Sequence, residues 1–291
     1  MKLSQKIIVG YYKTKLNSLA AVSPAKAAVA AFKLFCTPYH GKPKREAPPV
    51  FHKATKISFA FNALTICGFH WVPAHPPSKK VLICHGFDSC CYKFDTYIDP
   101  LLREGFDVFA FDAPGHGISD GTTVNSLVYR DTILEINRLF GPFDGIIAHS
   151  LAGLATSLAA EKLQLSQTRL VLIAPAVEAS TAIDQFFTFI PLHSKIRTEF
   201  NQLIQTLGNQ PVNWYSVTRA IQTFTTPVLW LHDKKDLVCP YSDTLPVQQL
   251  ALPHITFITT NGLGHSKIYR HAPIQKQVID FISAKLPSSH A

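Results

Sequence analysis

A chain of 291 residues with 47% hydrophobic and 16% charged residues can bury a sizeable core, which excludes a largely disordered protein. Its apolar runs are about as long as β-strands and shorter than the ~20 residues of a membrane-spanning helix, so we expect no transmembrane segment. The net charge of +9 is uneven: nine of the 28 Lys and Arg residues precede Glu46, the first acidic residue, and the other 19 balance 19 acidic residues.

The first part of the chain predicts two helices, over residues 1 to about 35. Alanine pairs favour helix there, and Pro24 separates the two pieces. Lys13 and Lys15 interrupt the apolar stretch at the start, which argues against a secretory signal. Proline and charge are concentrated in residues 37–50, which we interpret as a linker.

We therefore divide the chain into a basic helical extension with its linker, residues 1–50, and a main domain, residues 51–291. Two interpretations of the basic charge in residues 1–45 stay open: a solvated helix surface, and peripheral contact with an anionic membrane. We do not expect nucleic acid as a partner, because the main domain carries no excess of positive charge. The six cysteines are scattered without metal-ligand spacing, which is typical of thiols in the cytoplasm, the location we expect.

The main domain is predicted to open with two antiparallel strands joined near Asn62. Six apolar runs of strand length, alternating with helical stretches, follow at residues 81–84, 108–111, 145–148, 170–173, 228–231 and 255–258. Short, nearly continuous apolar strands are typical of a parallel sheet that is buried on both faces. The sequence thus predicts an α/β fold in which a mostly parallel sheet of eight strands carries helices on both faces.

One interval departs from this alternation, because no strand is predicted for more than 50 residues between Ile173 and Val228. A structureless loop of that length is improbable inside a domain, so we predict a helical cap insertion at about residues 176–225. Its basic and acidic residues are equal in number: Lys195, Arg197 and Arg219 against Glu178, Asp184 and Glu199. The neutral insertion favours an apolar substrate over a phosphorylated one.

Ser150 lies where a predicted strand meets an alanine-rich helical stretch. A serine hydroxyl is a poor nucleophile unless a histidine takes its proton and a carboxylate orients that histidine. A sharp strand-to-helix turn would project the serine, and such a turn needs small neighbours two residues away. Ala148 and Ala152 meet that need, and Gly153 lets the helix pack closely.

An acid and a histidine follow Ser150 in the chain order of one known catalytic arrangement. The acid is Asp236 or Asp233, and Asp236 is preferred because Asp233 lies closer to the strand end. The histidine is His265, between two loop glycines and a helical stretch. Four other histidines at strand ends or turns are interpreted as structural, since they lack metal-ligand spacing: His85, His116, His149 and His232.

Five segments in this order resemble those of the α/β-hydrolase superfamily, and the resemblance covers roughly residues 55–288. They correspond to the oxyanion loop at 85–88, the turn after the next strand at 112–119, the nucleophile elbow at 148–153, the acid loop at 236–240 and the histidine loop at 262–265. The elbow, usually written G-x-S-x-G, has alanine at both glycine positions here, and two methyl groups tighten the turn.

The resemblance implies a serine hydrolase in which Ser150 attacks a carbonyl carbon, His265 takes and returns the proton, and Asp236 orients His265. It also implies that the amides of Phe87 and Leu151 form an oxyanion hole, and that no metal or organic cofactor is needed. Dehalogenases and epoxide hydrolases of this superfamily usually carry aspartate as the nucleophile, so serine at position 150 argues against both.

We expect the substrate to be a carboxylic ester, or a related acyl compound, of a mainly apolar small molecule. Thioester cleavage and carbon–carbon bond hydrolysis use the same three residues, and both stay open. A further alternative is a non-catalytic, membrane-associated binding protein on this fold, because fold alone does not fix function.

Overall fold

In the computed structural model, the described residues are 3–39, 46–76, 79–163, 165 and 168–284. Residues 40–45 of the predicted linker lie outside these ranges. The chain divides into two compact units. The helical unit combines Met1–Thr37 with Glu178–Ser216, and the sheet unit combines Pro38–Val177 with Val217–Ala291. The division at residue 50 that was drawn from the sequence stays a prediction.

The sheet unit is built on eight strands: β1 (Thr55–Phe61), β2 (Leu64–Trp71), β3 (Lys79–Cys84), β4 (Phe106–Phe111), β5 (Gly145–His149), β6 (Arg169–Ile173), β7 (Val228–Asp233) and β8 (Ile255–Thr260). Their order in the sheet is β1-β2-β4-β3-β5-β6-β7-β8. The first two strands pair antiparallel with each other, β2 pairs antiparallel with β4, and the strands from β4 to β8 across the sheet are parallel. The predicted α/β fold is confirmed.

The α-helices of the described residues are α1 (Leu3–Val22), α2 (Pro24–Phe35), α3 (Asp95–Arg103), α4 (Ser126–Phe140), α5 (Leu151–Ala160), α6 (Ala179–Phe189), α7 (Ser194–Gly208), α8 (Val217–Ala220), α9 (Leu245–Gln249), α10 (Gly264–Lys267) and α11 (Ala272–Ser283). None of them is both long and apolar enough to cross a membrane. Between β6 and β7 the chain forms α6, α7 and α8 with no strand, within the continuously described range 168–284.

The central strands β4 to β7 are buried along their whole length, as their apolar composition requires. One face of the sheet packs against α3 and α11 in a single apolar cluster that includes Ile83, Tyr97, Ile98, Leu101, Ile147, Val171, Ile274, Val278 and Ile282. The carboxyl ends of parallel strands meet at one edge of a sheet, so the loops that follow β3, β5, β7 and β8 come together there. This edge is where the predicted site residues lie.

The helical unit joins two segments that are far apart in sequence. Ser23 caps α2, its Oγ accepting a hydrogen bond from the Lys26 amide, and Pro24 occupies the first turn. The core of the unit combines residues of α1 and α2 with residues of α6 and α7: Leu16, Ala27, Ala28, Ala31, Ile183, Phe186, Ile190, Ile196 and Phe200. Small alanines on α2 allow α7 to approach closely, and α7 contributes the bulky Phe200.

Candidate active site

Ser150 has backbone angles that few non-glycine residues adopt, with φ 58° and ψ −122°. It follows the last residue of β5 and precedes the first residue of α5. Its amide donates to the carbonyl of Ile173 at 3.1 Å, and its carbonyl accepts from the amide of Ala176 at 3.0 Å. Hydrogen bonds to the end of β6 and the loop after it thus hold a strained turn, which projects the serine side chain from the sheet edge.

The neighbours of Ser150 are small, as the turn requires. Ala148 and Ala152 are fully buried. Gly153 lies so close to Pro175 that a Cβ placed on it would be 2.5 Å from the Pro175 Cβ. Glycine is therefore needed at position 153 for α5 to pack against this loop, while alanine is tolerated at the two elbow positions that usually carry glycine.

His265 connects Ser150 to Asp236 through a line of hydrogen bonds. Its Nε2 lies 2.9 Å from Ser150 Oγ, and its Nδ1 lies 2.7 Å from Asp236 Oδ2. A carboxylate can only accept, so Nδ1 carries the proton and Nε2 presents its lone pair to the serine hydroxyl. The arrangement can move a proton from the serine to the imidazole, with a buried carboxylate facing the imidazole at its other nitrogen.

The two candidate acids, which the sequence left open, occupy different positions. Asp236 Oδ1 accepts from the amides of Val238 and Cys239 at 2.8 and 2.9 Å, which leaves Oδ2 for His265. This turn fixes the carboxylate in the orientation that the histidine needs.

Asp233 does not face the imidazole. Its two oxygens accept from the amides of Lys235, Gly262 and Leu263 and from the hydroxyl of Thr260, over 2.6 to 3.1 Å. Burial acts to raise the pKa of Asp233, but these donors outweigh burial and hold that pKa well below its usual value. Asp233 therefore ties the start of the histidine loop to the end of β7.

Two backbone segments carry the predicted oxyanion donors. Leu151 opens α5, so its amide has no partner within the helix and belongs to the positive end of the helix dipole. Phe87 follows Gly86, whose Cα approaches Ser150 so closely that a Cβ there would lie 2.8 Å from the Ser150 Cβ. The loop that carries the Phe87 amide therefore passes directly beside Ser150.

Two buried histidines, both uncharged, hold this loop in place through hydrogen bonds. His85 Nδ1 donates to the Gly86 carbonyl at 2.8 Å, and its Nε2 accepts from the Ala113 amide at 3.0 Å. His116 Nε2 accepts from the Asp88 amide at 3.0 Å. Burial lowers the pKa of His85 and of His116 to about 4, so both rings are uncharged near pH 7.

A third histidine holds the acid loop. His232 Nε2 donates to the Cys239 carbonyl at 2.8 Å, and burial lowers the pKa of His232. The Cys239 thiol lies 4.0 Å from Ser150 Oγ, and burial, followed by the charge of Asp236, raises the pKa of this thiol. A protonated, buried thiol is a weak nucleophile.

The sequence indicated a structural role for these histidines, but it did not say which loops they fix. No pattern in the sequence pairs His232 with Cys239 or His85 with Ala113. Among the described residues, no group of three or more His, Cys, Asp or Glu side chains is arranged to hold a metal ion.

Comparison with known proteins gives related sequences and folds. A sequence model of the alpha/beta hydrolase family matches residues 81–275. Monoglyceride lipase of Rattus norvegicus is 26% identical over 119 residues, which cover 38% of this chain and 39% of the lipase. The enzyme of the same name from Mus musculus is 25% identical over the same shares. The chain thus matches well under half of the length of these curated relatives.

Solved structures of low sequence identity share the fold. The esterase Pf2001 of Pyrococcus furiosus has a TM-score of 0.61 at 15% identity, over 83% of this chain and 98% of the esterase. A thioesterase domain from the curacin biosynthetic pathway has a TM-score of 0.56 at 16% identity, over 78% of this chain and 99% of the domain. At such identities the likeness concerns the fold alone.

Proposed function

The chain belongs to the alpha/beta hydrolase family, and on that premise we propose that it is a serine hydrolase that cleaves a carboxylic ester, or a related acyl bond, of a mainly apolar small molecule. The observation that carries the proposal is the line of hydrogen bonds from Ser150 through His265 to Asp236, at 2.9 and 2.7 Å. All three residues lie in the sheet unit, in the segments that follow the carboxyl ends of β5, β7 and β8.

In the first half of the proposed reaction, Ser150 Oγ attacks the carbonyl carbon of the substrate while His265 Nε2 takes the hydroxyl proton. The carbonyl oxygen becomes an oxyanion that accepts from the amides of Phe87 and Leu151, and each such donor is worth about 3 kcal/mol of transition-state stabilisation. His265 then gives its proton to the leaving oxygen. The C–O bond breaks, the alcohol departs, and the acyl group stays on Ser150.

In the second half, water attacks the acyl-enzyme while His265 Nε2 takes a proton from that water. The tetrahedral intermediate collapses, the bond to Ser150 Oγ breaks, and His265 returns the proton to the serine. The carboxylic acid leaves, and the site regains its starting state. Asp236 stabilises the positively charged imidazole in both halves.

A fluorophosphonate probe tests the serine assignment directly, because it modifies only an activated serine. We expect the wild-type chain to be labelled and Ser150→Ala to remain unlabelled. A folded wild-type chain that resists labelling would favour the alternative of a non-catalytic binding protein on this fold.

The acid loop supports an apolar substrate. Leu237 directly follows Asp236 and is 90% exposed, although the amides of the next two residues, Val238 and Cys239, are held by the Asp236 carboxylate. A panel of esters and thioesters of graded chain length tests the proposal and separates ester from thioester cleavage. We expect Leu237→Ser to lower kcat/KM for long-chain esters and to leave acetyl esters unchanged. Equal loss for both would show that Leu237 does not contact the acyl chain.

We also propose that the amino-terminal region contacts an anionic membrane surface peripherally, within a cytoplasmic location that the six free thiols favour. The side of α1 opposite its buried residue Leu16 carries Ile7, Tyr11 and Val22, which are 64%, 57% and 86% exposed. Lys15 lies on the same side, with Nζ 5.5 Å from the centre of the Tyr11 ring. Exposed apolar and aromatic groups beside lysines, with no acidic residue in the helix, are typical of interfacial helices.

Substitutions test this contact better than truncation, because Leu16 and the alanines of α2 belong to the core of the helical unit. Changing Lys15, which lies on that side of α1, to Gln should weaken binding to phosphatidylserine-containing vesicles about fivefold, at ~1 kcal/mol for one lysine. Sedimentation with anionic and with neutral vesicles measures the effect. Leu207→Ser, at an exposed site on α7, serves as the control, and unchanged binding of the lysine variant would refute the contact.

A further inference from the structure

His149 is a buried imidazole to which the proposed reaction assigns no role. It ends β5, directly before Ser150, and is 5% exposed. Its Nε2 lies 3.1 Å from the backbone carbonyl oxygen of His265. A carbonyl oxygen can only accept, so Nε2 carries the proton and donates it. Burial, followed by the neighbouring His265 ring, lowers the pKa of His149 well below its usual value, so the ring stays neutral near pH 7.

The ring of His149 is enclosed by several segments of the site. Its centre lies 4.7 Å from that of the His265 ring and 4.6 Å from that of Tyr269. Phe94 stacks on Tyr269 behind it, at 5.0 Å. On the other side, a Cβ placed on Gly86 would lie 2.8 Å from His149 Nδ1, which has no hydrogen-bond partner among the described residues. The ring therefore fills the space between the oxyanion loop and the histidine loop.

Resting on the proposed function, we propose that His149 is the positioning residue for the general base: its hydrogen bond to the His265 carbonyl fixes the distance between Ser150 Oγ and His265 Nε2. Ser150 and His265 are 115 residues apart in the chain. His149 joins them through one peptide link to Ser150 and one hydrogen bond to the backbone of His265.

The other contacts of the histidine loop act on the imidazole ring or on the residues before His265. Asp236 bonds to His265 Nδ1, which sets how the imidazole ring is turned. Asp233 holds Gly262 and Leu263, which lie before the histidine and bond to the end of β7. The hydrogen bond of His149 links the residue next to Ser150 with the backbone of His265. This bond therefore sets the distance between His265 Nε2 and Ser150 Oγ.

A matched pair of substitutions separates the hydrogen bond from simple packing. Gln and Met have nearly the same length and volume, but only Gln has a side-chain N–H that can donate to the His265 carbonyl. We expect His149→Met to lower kcat by 10- to 100-fold with little change in KM, because a displacement of about 1 Å at the reacting atoms costs about that much. His149→Gln should restore most of the loss.

The thermal midpoints of the two variants show whether the difference is one of folding. If both variants have the same thermal midpoint, lower than that of the wild type, and only the Met variant loses kcat, the positioning role is supported. Equal kcat in the two variants would overturn it, as would a rise in KM that accounts for the whole effect.

A spectroscopic readout keeps this test apart from that of the proposed function. The proton between His265 Nδ1 and Asp236 should give a downfield resonance that needs no turnover. We expect this resonance to persist in the Gln variant and to broaden in the Met variant. If the fluorophosphonate probe does not label the wild-type chain but the resonance still differs between the Gln and Met variants, the proposed function alone is contradicted. If the resonance is the same in both variants, the positioning role is contradicted.

Discussion

The two units of the chain hold their residues in place by different forces. In the sheet unit, the loops of the candidate site are tied by directional hydrogen bonds from buried groups, such as the four donors on Asp233 and the bond from His232 to the Cys239 carbonyl. In the helical unit, the core consists of apolar packing among alanine, leucine, isoleucine and phenylalanine side chains, with the rings of Phe32 and Phe200 5.5 Å apart. A catalytic arrangement must be held to about 0.5 Å, which apolar packing of helix faces does not achieve by itself.

The largest expected effect compares the two aspartates of the acid loop. Asp236→Asn would place an amide donor against His265 Nδ1 and favour the wrong tautomer, so we expect kcat to fall about 10⁴-fold with little change in thermal stability. Asp233→Asn would leave the Gly262 and Leu263 amides without their charged acceptor, so the thermal midpoint should fall clearly. Steady-state kinetics and thermal unfolding of both variants measure this. A larger loss of kcat in the Asp233 variant would reverse the assignment of the acid.

The next effect concerns the helical unit. Phe200 is fully buried there, and Phe200→Ala should lower the free energy of unfolding by about 3–5 kcal/mol. Leu207→Ala, at an exposed site on the same helix, should change it little. Denaturant unfolding measures both. At a temperature where the Phe200→Ala variant stays folded, a small fluorophosphonate should label Ser150 at close to the wild-type rate. A complete loss of labelling would show that the site depends on the packing around Phe200.

A third effect is the dependence of the sheet unit on pH. The pKa of His85 and of His116 is about 4 in the folded chain, against an ordinary value of 6.5, so the unfolded chain binds more protons below pH 6.5. Stability should be complete above pH 6.5 and be lost as the pH falls toward 4, by roughly 3 kcal/mol from His85.

Urea unfolding at a series of pH values measures this dependence. His85→Asn keeps a donor toward the Gly86 carbonyl but cannot titrate, so its curve should be less steep between pH 6.5 and 4. Parallel curves for the variant and the wild type would exclude His85 as a source of acid sensitivity.

The smallest effect is expected at Cys239. Its amide and carbonyl hold Asp236 and His232, and a substitution of the side chain leaves both in place. Cys239→Ala should therefore keep kcat/KM within about threefold, which is less than 1 kcal/mol of transition-state stabilisation. Loss of labelling in this variant would mean that the thiol takes part in the reaction.

Much of the fold could be predicted from the sequence because its signals are local. Each buried parallel strand appears as a short apolar run, and Pro24 and Asn62 mark a helix start and a hairpin turn. The interval between Ile173 and Val228 was correctly predicted to be helical, since a structureless loop of that length is rare.

The remaining features depend on contacts between distant residues. The sequence could not choose with certainty between Asp233 and Asp236, because the choice depends on which carboxylate the backbone amides of the histidine loop engage. It also could not pair the helices before residue 38 with those after residue 177, since several apolar helix faces would fit one another equally well. No local sequence pattern around His149 or His265 indicates the contact between His149 and the His265 carbonyl.

The assembly of the helical unit from two distant segments has a consequence for synthesis on the ribosome. At roughly 5–20 residues per second, the helices that end at Phe35 emerge about 10–40 seconds before Ser216 completes their partner segment. During that interval the apolar side of α2, with Ala27, Ala28 and Ala31, can pack against α1 but lacks the residues of α6 and α7. The core of the helical unit can therefore be completed only after translation has passed the insertion, which makes the order of synthesis part of how this protein reaches its folded state.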